Sequence, residues 1–547
     1  VATRQIKLRI VLTLGGLLAL AEVQATGPTT QLAPQSAPQP VLGATVQTVS
    51  ATIGIDDGSP ASVARTIDQL VEAIAREQGV TPGPLANDAR FLRRASLDLC
   101  GVIPRVSDTL DYAADQDLEK RARAVRKFVR SPRYATHLAT TWADLLIPAD
   151  RGDFAQRLNA VGLENWLRDR FARNVRYDNV VYDLLVATDA GQLGPASYFS
   201  AHELMPERLA ANSSRLLLGV SLDCAQCHDH PFTDWKQTDF WGYAAFFARV
   251  RADNAMMRPG GATRIIDSDR GEVRLPGDDA GEPIPPRPLG GEVVEDSSYE
   301  SRREQLALWM AERDNPYLAR AAVNAVWRKM LGRGLVEEIR ADGAHHPATH
   351  ARLLDEIADA FVAAGFDLRW LHETIALTDA YARQSTSESD SAPAKAFVAM
   401  PPRRLSAEQL YDSLSRLARP AITEDPFSPN PAREAFVQRM RSGGEDPLAY
   451  TGSTLQALVM LNGSTVQATA EPAESGLTAA LEAPYLSDRE RIELVFMATL
   501  GRPPLEKEDH IFSEHLRAVG DDPAHRAAAL SDFLWALANS TEMAFNH

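Results

Sequence analysis

The sequence predicts a mostly α, multi-helical two-domain protein with a small β-containing insertion, rich in Gly and Pro, between the domains. Three observations predict it. Apolar residues recur at helical spacing through most of the chain, as in Val63, Ile67, Leu70, Val71 and Ile74. Strand-like runs are confined to one interval, 258–297, which is dense in Gly and Pro. A length of 547 residues exceeds what a single ordinary core holds.

The elements follow in order. Arg4, Lys7 and Arg9 precede a short apolar run, Ile10 to Ala21, and small residues at Val23 and Ala25, so residues 1–25 read as an export signal. The run is shorter than a membrane helix needs. No transmembrane segment is expected beyond it, and the folded part is expected in the periplasm, secreted, or at the cell surface. Residues 26–62, rich in Pro, Gln, Thr and Ser, read as a disordered linker. A first helical domain is expected over 63–257, a connecting segment over 258–297 and a helical companion domain over 298–547.

Within the first domain, helices are expected near 87–99, 117–130, 132–147, 161–173, 178–187, 206–222 and 239–250, with Trp142, Trp166 and Phe171 as core residues. In the connecting segment, Thr263 to Ile266 and Glu272 to Leu275 are the strand candidates, suited to a small hairpin. In the second domain, Leu353, Leu354, Ile357, Ala358, Phe361 and Val362 mark a helix with a wide buried face. Ser406 with Gln409, and Ser487 with Glu490, match the capping box, in which hydroxyl and N3 side chain satisfy free amides at a helix start. The polar interval 420–450 reads as surface loop.

The composition, 45% hydrophobic and 24% charged, is that of a globular protein, and a net charge of −16 argues against a nucleic-acid partner. Three cysteines are too few for a disulfide framework. Cys100, flanked by Leu97, Leu99 and Val102, reads as a small buried hydrophobe. The other two belong to Cys224-Ala225-Gln226-Cys227-His228.

That spacing carries chemistry. Two thiols on one turn can form thioethers with the two vinyl groups of a haem, and the following His228 serves as an axial ligand to the iron. The same residues admit other readings. Cys224, Cys227, His228 and His230 could hold zinc, because thiolate and imidazole suit that metal. Cys224 and Cys227 could also form a disulfide or a redox-active pair. No spacing selects a distal haem ligand among Met256, Met257, His202, His345, His346 and His350, so a bound haem is expected to be five-coordinate. The His345, His346 and His350 group reads as surface histidines before a helix. Asp229 and Asp234 read as caps of the following turn more readily than as residues orienting a ligand. No nucleophile elbow, phosphate loop, HExxH or dinucleotide fingerprint occurs.

Several segments resemble a known family. Arg90 to Pro104, Ser131 to Tyr134 and Trp142 are similar to the opening of the planctomycete cytochrome-like domain of unknown function. Leu218 to Phe232, then Asp239 to Phe247, resemble that domain's CxxCH signature. Asn315 to Trp327 with Leu331 to Leu335 resemble the companion domain, and Tyr381 to Ser385, Arg404 to Gln409, Leu461 to Gly463 and Leu500 to Pro504 extend the likeness over roughly 63–540. The resemblance implies an exported two-domain protein with Cys224, Cys227 and His228 as the haem positions. The chain departs from the family at Cys100, where Thr is frequent, and at Ala325, where Arg is common.

Three functions remain open on the sequence. One is an extracytoplasmic c-type haem protein in electron transfer or redox chemistry, working with a redox partner. Another is a metal-dependent enzyme acting on extracellular polymers. The third is a structural or cell-surface interaction protein in which the Cys/His cluster staples a loop.

Overall fold

The computed structural model describes residues 58–147, 154–188, 194–253, 264–278, 280–337, 350–386, 388, 390–418, 430–441, 453–471 and 476–547. The export signal and nearly all of the expected linker lie outside them.

Local chemistry sets the helix starts. The Ser59 hydroxyl accepts from the Ser62 amide and Pro60 occupies the first turn, opening the helix Pro60–Glu77 with Val63, Ile67 and Val71 buried. Asn87 caps Asp88–Cys100, which stops at Gly101 with φ of 70°, a left-handed position suited to glycine. Ser131 caps Pro132–Leu146 with Pro132 at its first position. Helices Lys120–Val129 and Tyr177–Leu185 follow the expected pattern within a few residues, whereas Phe154–Ala172 begins seven residues before the expected start and Pro206–Leu217 ends five residues before the expected end. Both expected capping boxes form. The Ser406 amide donates to Gln409 Oε1 at 2.9 Å, and the Ser487 amide to Glu490 Oε2 at 2.7 Å. Helices dominate the described chain, with two small two-stranded antiparallel sheets.

One sheet pairs Val250–Asp253 with Arg264–Asp267, Val250 opposite Asp267 and Asp253 opposite Arg264. The second strand candidate contributes only a bridge between Val273 and Ile284. The other sheet joins Arg403–Arg404 to Phe545–Asn546.

The buried side chains divide elsewhere than the 258–297 interval. One core runs from Val63 to Met400 and passes under that interval. A second gathers residues from Leu405 to Met543 together with Leu97 and Ile103. The helix Asp88–Cys100 serves both, sending Phe91, Leu92, Ala95 and Leu99 into the first and Leu97 into the second. The described part of the connector is not a loose tether. Arg302 binds Glu272 at 3.0 Å and Asp296 at 2.7 Å, and Arg303 binds Asp267 at 2.6 Å, which fastens it to the helix Arg302–Ala311.

Two expectations are corrected. Part of the polar 420–450 interval is helical: Asn430 caps Pro431–Met440, whose Phe436, Val437 and Met440 face the second core. His350 is not a surface residue; it is buried at the start of Ala351–Ala363, its ring edge-on to Phe397 at 4.9 Å. His345 and His346 lie outside the described residues.

Candidate functional site

The Cys motif sits where a helix ends and another begins. Pro206–Leu217 runs out at Leu218, Gly219 turns the chain with φ of 69°, and Asp223–Gln226 forms one 3-10 turn. Leu222 and Ala225 point into the core and anchor the turn, while Cys227 and His228 are exposed and Cys224 is partly exposed. All three cysteines are free thiols.

The next helix, Gln237–Ala244, clamps the turn from below. Both the Trp241 indole N–H, at 3.0 Å, and the Gln237 side-chain amide, at 3.2 Å, donate to the Gln226 carbonyl. Asp229 Oδ1 accepts from the Gln237 amide at 3.0 Å, so Asp229 caps this helix as expected. That bond and Lys236 nearby hold its carboxyl below the usual carboxylate range. Asp234 takes no such part: Asp239 closes the turn by accepting from the Lys236 amide at 2.8 Å.

The two histidines of the motif are held in opposite tautomers. His228 Nδ1 lies 2.7 Å from the Asp229 carbonyl. A carbonyl only accepts, so Nδ1 carries the proton and Nε2 keeps its lone pair, on an exposed ring. His230 is reversed, because its Nδ1 accepts from the Phe232 amide at 3.2 Å, which leaves the proton on Nε2. His228 is thus preset as a ligand through Nε2, and His230 is not. This backbone carbonyl does the orienting that sequence reasoning sought in the Asp229 carboxylate.

Among the described residues no group of three or more His, Cys, Asp or Glu side chains is gathered as a metal site. The set Cys224, Cys227, His228 and His230 is therefore not drawn together around one point. Of the distal candidates, His202 is buried, with its Nε2 donating to the Leu146 carbonyl at 2.9 Å and burial pulling its pKa down to about 4. Met256 and Met257 lie outside the described residues. Of the aromatic residues around the motif, Phe240 is fully buried, Trp235 and Trp241 are half-buried, and Phe232 is 48% exposed. Cys100 is buried as expected, its thiol pushed up to about 11 by burial.

A second polar centre was missed by the sequence reading. Asp98 is buried and accepts four bonds: two from Arg403 at 2.7 and 2.8 Å, one from the Tyr381 hydroxyl at 2.7 Å and one from the Asn546 amide at 2.9 Å. One turn earlier, Arg94 donates to the carbonyls of Tyr381, Arg383 and His547, the last at 2.9 Å. The only sequence signal was a helix with charges spaced i, i+4 on a face that had to be buried.

The geometry defines a mostly α chain built around a central charged helix, with an exposed thiol–thiol–imidazole turn. Residues 66–252 match the family described as a protein of unknown function (DUF1549), and residues 302–446 match another described as a protein of unknown function (DUF1553). The chain carries these two domains in tandem, as the resemblance implied. No curated protein and no solved structure matches it. Among the described residues no helix is long and apolar enough to cross a membrane.

Proposed function

We propose that this is an exported protein that binds c-type haem covalently and acts in extracytoplasmic electron transfer or redox chemistry. The observation that carries the reading is the tautomer of His228, locked by the Asp229 carbonyl immediately after two free thiols at CxxCH spacing. Those residues fit the group. Cys224 and Cys227 would hold it by thioether bonds, and His228 Nε2 would ligate the iron. A bound haem supplies a one-electron centre. The chain's own part is to fix the ring of His228 through a backbone carbonyl and to brace the turn through Trp241 and Gln237. The exposure of Cys227, His228 and Phe232 suits contact with a redox partner. The zinc alternative loses support because the His230 Nδ1 lone pair is already engaged.

The test is production of the full chain in a bacterial host that matures c-type cytochromes. The expected result is a visible haem spectrum and an intact mass raised by one haem, both lost in Cys224→Ser with Cys227→Ser. A colourless protein of unmodified mass, beside a control cytochrome that matures, would sink the reading. His228→Ala is expected to disturb the spectrum, whereas His230→Ala leaves it unchanged.

A further inference from the structure

The segment 541–547 is held as a bound peptide is held. Four of its main-chain carbonyls accept hydrogen bonds from residues far away in the chain. Arg93 donates to Phe545 at 2.9 Å and to Met543 at 3.4 Å, Arg94 donates to His547 at 2.9 Å, and the Leu405 amide donates to Ala544 at 2.9 Å. The short sheet adds its register, Arg403 opposite Asn546 and Arg404 opposite Phe545. Three side chains supply further contacts. The Glu542 carboxylate accepts from Arg502 at 2.6 and 2.7 Å, Met543 is fully buried in the second core, and the Asn546 amide donates to Asp98 at 2.9 Å. Main-chain bonds that give affinity, with pockets for a few side chains that give selectivity, are how an extended peptide is recognised beside a strand.

The walls of this groove are largely complete without the segment. Asp98 keeps Arg403 and the Tyr381 hydroxyl, Arg94 keeps the carbonyls of Tyr381 and Arg383, and Arg502 keeps Glu508 at 2.7 Å. Arg93 is the exception. It is buried, and among the described residues its guanidinium bonds only to Met543 and Phe545 and forms no ion pair. A buried guanidinium needs its donors engaged, so Arg93 is committed to carbonyls that an extended segment presents.

We propose that the groove is a peptide-recognition site whose ligand is the segment 541–547, which leaves as a unit and is replaced by the same segment of a second molecule. The ligand class is an extended peptide with a carboxylate, a long apolar side chain next to it and an asparagine three residues further on, as in Glu542, Met543 and Asn546. The Cys224 turn takes no part, so the inference stands apart from the haem reading.

A tethered segment outcompetes a free one, so the test first cuts the tether. A site-specific protease sequence is inserted between Ser540 and the exposed Thr541, and the full chain is cut after it has folded. A dye-labelled peptide of residues 541–547 is then added and its fluorescence anisotropy followed. The expected result is saturable binding that unlabelled peptide displaces, with helical circular dichroism unchanged by cutting. The Asn546→Ala peptide is expected to bind about tenfold more weakly, having lost one hydrogen bond to a carboxylate. No uptake of the peptide, equal binding of the Asn546→Ala peptide, or loss of helical signal on cutting overturns the proposal. Hydrogen exchange on the unaltered chain decides it independently, even if the insertion prevents folding. The Leu405 amide, whose acceptor is the Ala544 carbonyl, is expected to exchange about tenfold faster than the amides of Asp88–Cys100, or more. Exchange of both at one rate overturns the proposal as well.

Discussion

Replacing Asp98 with Ala tests the central helix directly. The carboxylate is 2% exposed, and the Arg403 side chain facing it is 14% exposed. Losing Asp98 leaves that guanidinium with the Lys329 carbonyl, at 2.7 Å, as its remaining bond. Removing one partner of a buried ion pair costs about 3–5 kcal/mol, because the other charge stays desolvated. The Tyr381 hydroxyl and Asn546 amide lose their acceptor as well, about 1–3 kcal/mol for each group left unsatisfied, although such terms do not simply add. The expected loss is about 4–6 kcal/mol, a large part of the 5–15 kcal/mol typical of folded proteins. The assay is guanidinium denaturation followed by near-ultraviolet circular dichroism, read as a lower midpoint at unchanged slope. Asp98→Ala with Arg403→Met, which removes both charges, is expected to be less destabilised than Asp98→Ala alone. A loss below about 1 kcal/mol, or a double variant worse than the single, would refute the reasoning.

Other outcomes follow from the same structure. Trp241→Phe removes the indole donor to Gln226 and is expected to cost about 0.5–1.5 kcal/mol. Amides of 223–232 should then exchange faster with solvent, and an unchanged exchange pattern would mean that the clamp does not hold the turn. Gly101→Ala places a methyl 2.6 Å from His137 Nδ1 at a left-handed position, with an expected loss of about 1–3 kcal/mol by thermal melting. Acid should destabilise the fold. Burial holds His202, His350 and His372 at about 4, whereas unfolded histidine titrates near 6.5, so the unfolded chain takes up protons that the folded chain refuses between those values. Their contribution is complete above about pH 6.5 and declines as pH falls toward 4. Asp68, raised to about 6 by burial, opposes this by binding its proton more tightly in the folded state between about 6 and 3.8. From these four groups the expectation is a loss of about 4 kcal/mol from pH 7 to pH 5. A denaturation midpoint that stays flat over that range would contradict it.

How much was legible in the sequence depended on range. Ser406 and Ser487 announced their helices because a cap is a contact across three residues. Asp229 was legible as a cap for a related reason, since its partner Gln237 opens the adjacent helix. The helix Pro431–Met440 escaped because only Phe436, Val437 and Met440 carry its buried face, within an interval otherwise polar. His350 was misplaced because its burial depends on Phe397, which no local pattern reveals. The Asp98 centre is the extreme case. Its partners lie 283, 305 and 448 residues away, so the helix showed its charges but not what neutralises them. At the CxxCH turn the residue types were plain. The proton positions on His228 and His230 depend on backbone geometry that side-chain identity does not encode.

The reach of Asp98 bears on the order in which the chain can assemble. Closing a contact across 448 residues carries a loop entropy that short-range pairings avoid, so this contact is expected to form late. Until residues 381–404 and 545–547 arrive, Arg94 and Asp98 have none of the partners that make their burial tolerable. The segment 66–252, although it matches a family by itself, is therefore a unit of descent more than a unit of folding. Expressed alone, it would leave Asp98 without Arg403, Tyr381 or Asn546, and would turn to water a helix whose place is at the centre of the molecule.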